Sequence, residues 1–478
     1  MFFIYLLIIS FFFFFLLINS FNITNINSKS DKFLKLKYKY VKCRQKYIIK
    51  NLQSHFDYTI ENFPCMTEIV NNKDGYFFKS NKTFSDLNIH KTLVEELRKN
   101  NINVASTIQS DLLDYYNKNY EKLKNIIIGA ENGIGKTMSY IILILNHLLK
   151  EKKKNICTII FQYNNLLCNQ CYDIIKLLSK NVKVKTINLK NEDKISSNKN
   201  LIIISSPIKF YHYMKENKET LYFLKNLNFF IIDEVDAIFE KPYLKYMNFI
   251  FNEIKRINDN FVSIITSSTL SNKGKKSTYN NIMKYIKNSV MIKTKYMHNI
   301  HPLINYHFIN LSIHNIYAKF EAIKDILLKE NHKKVLIFCN TIKSCNQAFS
   351  LLKSVFDNIF IFNSSLKKTD LLIILEHFKN SEKSILVTTD IIYRGVDVKN
   401  ITHLFHFDTP TNIIVYTHRN GRISRGPSTG DIYIFNNLND LITKKIYEFH
   451  KNNVKFEELF SRKRSLRKNY KKELKKAM

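Results

Sequence analysis

A lysine and a threonine close the segment Gly129-Ala130-Glu131-Asn132-Gly133-Ile134-Gly135-Lys136-Thr137, which follows the apolar run Ile126 to Ile128 and opens a helical pattern at Met138. That order, strand then glycine-bearing loop then helix, is what a phosphate cradle requires. Glycines let backbone N–H groups approach phosphate oxygens, and the start of a helix adds partial positive charge. Lys136 is placed to reach the β- and γ-phosphates of a nucleoside triphosphate, and Thr137 to ligate magnesium. About a hundred residues further on, Phe229 to Ile232 lead into Asp233-Glu234-Val235-Asp236. Carboxylates at the C-terminal end of a buried strand stand where parallel sheets bind ligands. Asp233 is suited to hold magnesium through its water shell, and Glu234 to orient and deprotonate an attacking water. An isolated acidic cluster is usually a solvated loop; beside a phosphate loop it gains meaning.

Scarcity marks a third group. The chain has nine glycines in 478 residues, where ordinary usage of about 7% would supply roughly thirty. Six of the nine are Gly129, Gly133, Gly135, Gly395, Gly421 and Gly426, all within short motifs. Arginine is equally selective: only ten of the 74 basic side chains are Arg, and Arg394, Arg419, Arg422 and Arg425 fall in one stretch. Lysine cannot supply a planar fork, so these four are expected to grip phosphate or carboxylate.

These groups need rigid elements to hold them. Apolar runs recur at Ile126 to Ala130, Thr158 to Tyr163, Leu201 to Ser205, Phe229 to Asp233 and Val262 to Thr266. A second series lies at Val335 to Cys339, Ile359 to Phe362, Ile385 to Thr389, His403 to Phe407 and Ile432 to Phe435. Near-continuous apolar strands alternating with helical patterns predict α/β architecture, with parallel sheets covered on both faces. Because the series occurs twice, two lobes are expected over residues 81–297 and 298–447, joined near Thr294 to His301.

The ends differ from this body. Met1 to Ile18 is almost wholly Phe, Leu and Ile, with Ser20 after it, which is a signal-peptide pattern over residues 1–20. No basic residue precedes the run, and it approaches the length of a membrane span, so an uncleaved anchor is the alternative. Residues 21–80 form a basic extension that resembles a plastid transit peptide behind a signal sequence, the bipartite address of a secondary plastid such as the apicoplast; a disordered basic extension is the plain reading. Residues 448–478 are a basic tail. Seven cysteines at scattered spacings form no disulfide framework, and Cys168 with Cys171 is expected to be two small apolar residues one helical turn apart. The formal charge of +34 fits a polyanionic partner, although lysine and asparagine are raised throughout, away from any motif as well.

The second half completes the pattern with Thr388-Thr389-Asp390-Ile391-Ile392-Tyr393-Arg394-Gly395-Val396-Asp397 and His418-Arg419-Asn420-Gly421-Arg422-Ile423-Ser424-Arg425. With the phosphate loop and the D-E-V-D box, these closely resemble the motifs of the DEAD-box RNA helicases. Ser206-Pro207, Ser267-Ser268-Thr269, Val335 to Thr341, and Asp408 with Pro410 match smaller family motifs in order. Gln109, 25 residues after Phe84, resembles the family's adenine-reading glutamine motif.

The resemblance implies two tandem RecA-like domains, each a parallel sheet with helices on both faces, with ATP and Mg2+ in the cleft between them. Phe84 would stack on adenine and Gln109 would pair with it. Ala130, Gly133, Gly135, Lys136 and Thr137 would cradle the phosphates, and Asp397 would touch the ribose. Thr137 and Asp233 would serve the metal, Glu234 the water, and Arg422 and Arg425 the γ-phosphate. Asp236, Ser267, Thr269 and His418 would couple hydrolysis to domain closure. Ser206, Pro207, Thr388, Arg394 and Gly395 would face RNA. The implied activity is RNA-dependent ATP hydrolysis with local, non-processive unwinding, by a monomer not stably bound to a membrane after processing, with ribosomal or other ribonucleoprotein partners. Alternatives are an ATP-gated RNA clamp that scarcely unwinds and a protein-translocating motor of the same superfamily. Departures fall mostly on the RNA side: Tyr163 to Cys168 lacks the expected Arg, Ile208-Lys209 replaces Gly-Arg, and Lys368 and Leu371 replace a Gln-x-x-Arg; in the glutamine motif, Asn101 and Ala105 replace the usual Gly and Pro.

Overall fold

Successive residues of a strand point to opposite faces, so a strand apolar at every position must be covered twice. That is what happens here. The structure, a computed structural model, describes residues 58–63 and 79–452, less 152–154, 190–194, 196–198, 240–242, 271–277, 296, 299, 300, 302, 331, 393–397, 399, 424–428, 438 and 439. The signal-like run, most of the basic extension, most of the tail, and Arg394, Gly395, Asp397 and Arg425 lie outside the described residues. From Tyr58 onward the chain forms one compact unit.

In chain order, β1 (Tyr58–Phe63) is followed by the small antiparallel pair β2 (Lys79–Thr83) and β3 (Val104–Ser106). The first large sheet then uses β4 (Asn125–Gly129), β5 (Cys157–Phe161), β6 (Lys185–Asn188), β7 (Leu201–Ser205), β8 (Leu227–Ile232), β9 (Val262–Ser267) and β10 (Ser289–Lys293). Its spatial order is β10-β4-β9-β8-β5-β7-β6, and all its pairings are parallel. Ile126 and Ile128 of β4 enter one hydrophobic core while Ile127 enters another on the opposite face. Ile231 and its neighbours Phe230 and Ile232 divide in the same way.

The second sheet contains β11 (Ile304–Leu311), β12 (Lys334–Phe338), β13 (Ile359–Phe362), β14 (Ser384–Thr388), β15 (Ile401–His406) and β16 (Gly430–Phe435). Its order is β1-β11-β16-β15-β12-β14-β13. Six strands run parallel, and β1 closes the edge antiparallel to β11, from Tyr58 opposite Leu311 to Phe63 opposite Tyr306. Phe63 packs edge-on against Phe308 at 5.4 Å, and Tyr447 donates its hydroxyl to Glu61 at 2.8 Å. Part of the segment expected to be a basic extension therefore belongs to the second lobe. A chain starting after Phe63 would leave the edge of β11 unpaired.

Scarce glycine has a visible consequence. Five of the seven left-handed non-glycine residues among those described are asparagines: Asn88, Asn101, Asn155, Asn288 and Asn400. Asn101 sits just beyond the helix Lys91–Lys99 at φ 59°. Its N–H bonds the carbonyl of Arg98, and the N–H of Ile102 bonds that of Leu97, each at 2.9 Å. This is the capping pattern that glycine commonly supplies, so asparagine at 101 preserves the turn.

Candidate nucleotide site between the lobes

The helix Lys136–Lys150 begins at the C-terminal edge of β4, and Gly135 caps it at φ 94°. A side chain at 135 would be strained, and its Cβ would lie 2.6 Å from Gln109 Nε2. Gln109 forms a reciprocal box with Ser106 at the start of the helix Thr107–Lys118. Its Oε1 accepts from the Ser106 N–H at 2.9 Å, and its Nε2 donates to the Gly135 carbonyl at 3.5 Å. The glutamine is thus tied to the phosphate loop, with one N–H and one lone pair of its amide left for a base. Phe84 is not placed as expected. Its ring is 1% exposed within the lobe's core, alongside Leu87, Leu93 and Ile108, and presents no face to a purine.

Lys136 is buried and donates to the carbonyls of Ala130 and Glu131, each at 2.9 Å. Burial lowers its ammonium below the ordinary lysine value, against the pull of Glu234, Asp233, Glu131 and Asp236. A phosphate arriving in the loop would give that cation a partner. Thr137 Oγ1 donates to Asp233 Oδ2 at 2.9 Å, although 96 residues separate them. A hydroxyl and one carboxylate are a donor set that suits magnesium, which keeps several waters and takes the rest of its octahedron from substrate phosphates. Asp233 is itself held on all sides. Tyr140 OH and Gln162 Nε2 donate to its Oδ2 at 2.9 and 3.1 Å, Thr266 Oγ1 donates to its Oδ1, and the Glu234 N–H reaches that oxygen at 3.1 Å.

Glu234 adopts a left-handed φ of 48° at the turn after β8. Its buried Oε2 has no hydrogen-bond partner among the described residues. Burial raises its carboxyl above the ordinary glutamate range; Asp236 and Asp233 push the same way, while His418 and Arg422 oppose. Such an acceptor is available to a water.

Two of these groups come from the other lobe. His418, on the helix Ile413–Asn420, bonds Asp236 Oδ2 through Nε2 at 2.7 Å, and Thr269 Oγ1 reaches the same oxygen at 2.5 Å. Ser267 completes the turn by accepting from the Thr269 N–H at 3.1 Å. Arg422 is 7% exposed, and its charge acts on Glu234. Gly421 lies against the phosphate loop, where a Cβ would fall 2.2 Å from Asn132 Nδ2. Neighbouring Arg419 is fully buried: Nε bonds Asp390 at 2.6 Å, one terminal nitrogen bonds the Asp408 carbonyl at 3.0 Å, and the other bonds Asn340 at 2.8 Å. Of the marked arginines, this one grips a carboxylate and knits three segments of its lobe.

The expected RNA side is different. Ser206 and Pro207 begin the helix Pro207–Glu216, both buried, and no side chain caps that helix start. Thr388 is fully buried, and its hydroxyl donates to the Phe362 carbonyl at 2.8 Å. It is buried like every other residue of β14, whose two faces are both covered. Cys168 and Cys171 lie buried with free thiols on the helix Asn165–Leu178, and burial pushes the Cys168 thiol up to about 12. Tyr140, Gln162 and Thr266 belong to no motif in the sequence, and only the fold brings them to Asp233.

A phosphate loop and an acidic strand end in one parallel lobe, answered across a cleft by a histidine and an arginine from a second, define a two-lobed RecA-like nucleotide-binding protein. The DEAD/DEAH box helicase model matches residues 106–277 and the helicase conserved C-terminal domain model matches residues 318–426. The chain belongs to the DEAD-box helicases of superfamily 2. It is 27% identical over 387 residues to the ATP-dependent RNA helicase DBP6 of Candida albicans, covering 74% of this chain and 63% of that protein. It is 23% identical over 364 residues to the ATP-dependent RNA helicase RhlB of Shewanella oneidensis, covering 73% and 79%. The chain spans less than two thirds of the length of the DBP6 relatives it matches. In fold it is similar to S. cerevisiae Dbp5 bound to RNA and ADP BeF3, with a TM-score of 0.63, 18% identity and coverage of 78% and 93%. It is also similar to Mss116p bound to ssRNA and AMP-PNP, with a TM-score of 0.64, 20% identity and coverage of 78% of each chain.

Proposed function

We propose that the chain is an RNA-dependent ATPase that binds ATP with Mg2+ between its lobes and uses the cycle for local, non-processive RNA unwinding or ribonucleoprotein remodelling. The observation that carries this reading is Glu234, whose buried Oε2 is unpartnered among the described residues and which lies in the field of Arg422 from the other lobe and of Lys136, next to Asp233 and its partner Thr137. Lys136 and the loop N–H groups would bind the phosphates, and Gln109 would orient the base. Glu234 would hold the attacking water and take its proton, with Arg422, joined by Arg425, balancing charge on the γ-phosphate. Bound between Thr137, the shell of Asp233 and the phosphates, Mg2+ would neutralise developing charge. The bond from His418 to Asp236, shared with Thr269, would tie closure of the lobes to the state of the site. The relatives' names support RNA as the polyanion, as does the formal charge of +34.

Closing the lobes on one strand would bend it. At about 1.4 kcal/mol per stacked step, distorting a few nucleotides opens a short duplex and leaves a long one closed. Strand separation beside ATP turnover therefore discriminates: a working helicase opens short duplexes with ATP, whereas turnover without separation favours the clamp. The N-terminal segment is proposed as a bipartite plastid address, and a fluorescent reporter carrying residues 1–57 that stayed cytosolic would overturn it. Because β1 belongs to the second lobe, processing would cut before Tyr58.

A further inference from the structure

Asp233 has more donors than a water-shell carboxylate needs. Thr137 is expected to turn its hydroxyl to the metal, which would free one position on Oδ2. Two other donors to that oxygen have no part in the mechanism above: Tyr140 OH at 2.9 Å and Gln162 Nε2 at 3.1 Å. They come from different elements, the second turn of the helix Lys136–Lys150 and the residue following β5. Gln162 Nε2 also donates to Tyr140 OH at 2.9 Å, so the three groups close a triangle around one carboxylate oxygen. All three are buried, Tyr140 at 0%, Gln162 at 1% and Asp233 at 3% exposed.

Gln162 is costly where it stands. Its Oε1 is buried and has no hydrogen-bond partner among the described residues, a state that costs about 1–3 kcal/mol. A leucine would fill similar space without that cost. The amide is therefore explained by what its N–H does, which is to fix Asp233.

We propose that Tyr140 and Gln162 are positioning residues that hold the Asp233 carboxylate at the angle needed to receive the hydrated magnesium of the bound nucleotide. The proposal rests on the nucleotide-site reading above and adds to it two residues that no motif marks. With Oδ2 held by the pair and Oδ1 by Thr266, the carboxylate does not have to be reoriented when Thr137 leaves it. The position that Thr137 vacates on Oδ2 then accepts from metal-bound water. Without the pair, Asp233 can rotate and the ordering must be done by magnesium itself. The effect belongs to metal binding and not to nucleotide binding alone.

The test is equilibrium binding of a fluorescent ADP analogue to the full chain, with magnesium and with chelator, for the parent, Tyr140→Phe and Gln162→Leu. Loss of an outer-shell partner typically costs 10–100-fold in metal affinity, so each variant should lose about tenfold of the magnesium-induced tightening, with magnesium-free affinity unchanged. The Gln162→Leu chain should keep its thermal midpoint in chelator, since an orphaned carbonyl is removed with the donor. The double variant should lose less than the sum, because the two side chains bond each other. Unchanged magnesium dependence in a folded variant, or a fall in thermal midpoint alone, would make the pair merely structural and overturn the proposal. Should Tyr140→Phe fail to fold, Gln162→Leu carries the test. A parent chain without magnesium-dependent tightening would sink both this proposal and the nucleotide-site reading, an outcome distinct from a normal parent with unaffected variants.

Discussion

Replacing Arg422 with alanine should lower the rate of ATP turnover by roughly 10³-fold or more, the scale on which arginine fingers act in related nucleotidases, and leave nucleotide affinity nearly unchanged. Arg422 follows directly on Gly421, which admits Asn132 of the phosphate loop, and lies one helical turn beyond His418, which is bonded to Asp236. These contacts bring a buried guanidinium into the field of Glu234. Burial alone disfavours its charge, and the carboxylate opposes that penalty. A γ-phosphate would do so more strongly as charge builds on its oxygens, so the interaction grows in the transition state and appears in kcat. Lysine should not rescue the variant, since a point charge cannot reproduce the fork. Single-turnover kinetics check this, and a variant that weakened ATP binding while sparing kcat would place Arg422 in ground-state binding.

Glu234→Gln should cost about 10²–10⁴-fold in kcat, the usual contribution of a positioned base. The amide keeps the shape and loses the proton acceptor. The sign of the pH dependence follows from the raised carboxyl, whose main cause is burial. Only the ionised form can take a proton, so the rate should fall as pH drops through a value above the ordinary glutamate range. That acid limb should be absent from the residual rate of the glutamine variant. A limb retained unchanged in the variant would assign it to another group. Because Lys136, Thr137 and Arg422 remain, the variant should still bind ATP and should accumulate with ATP and RNA bound.

Much of this follows from the sequence alone. Strands apolar at every position announced two doubly covered sheets, and rare glycines marked Gly133 and Gly135, whose φ values of 80° and 94° exclude most other residues. The edge strands of the first sheet were not apparent in the sequence, although β13 at the edge of the second was. β6 and β10 mix Lys, Thr, Ser and Asn with their apolar residues because neither is fully buried, and in β11 Asn305 and His307 on one face and Asn310 on the other interrupt the apolar run. Nor could β1 be found, since it is stabilised by a partner some 250 residues away, as with Asn62 beside His307. Phe84 shows how spacing can mislead: its distance from Gln109 holds, but an apolar ring at that position is claimed by the core. Thr388 is likewise buried in the lobe, since a motif gives residue order and not exposure. Tyr140 and Gln162 lie 93 and 71 residues from Asp233, and no local pattern links them.

On the proposed function, RNA completes the ATPase that the two lobes form. The most direct measurement is steady-state phosphate release from ATP and magnesium by the full chain, with and without saturating single-stranded RNA, beside single-stranded DNA of the same sequence. Slow basal turnover, strong stimulation by RNA and little by DNA are expected, because the 2′-OH is what separates the two polymers. Turnover indifferent to RNA, or stimulated equally by DNA, would contradict that function.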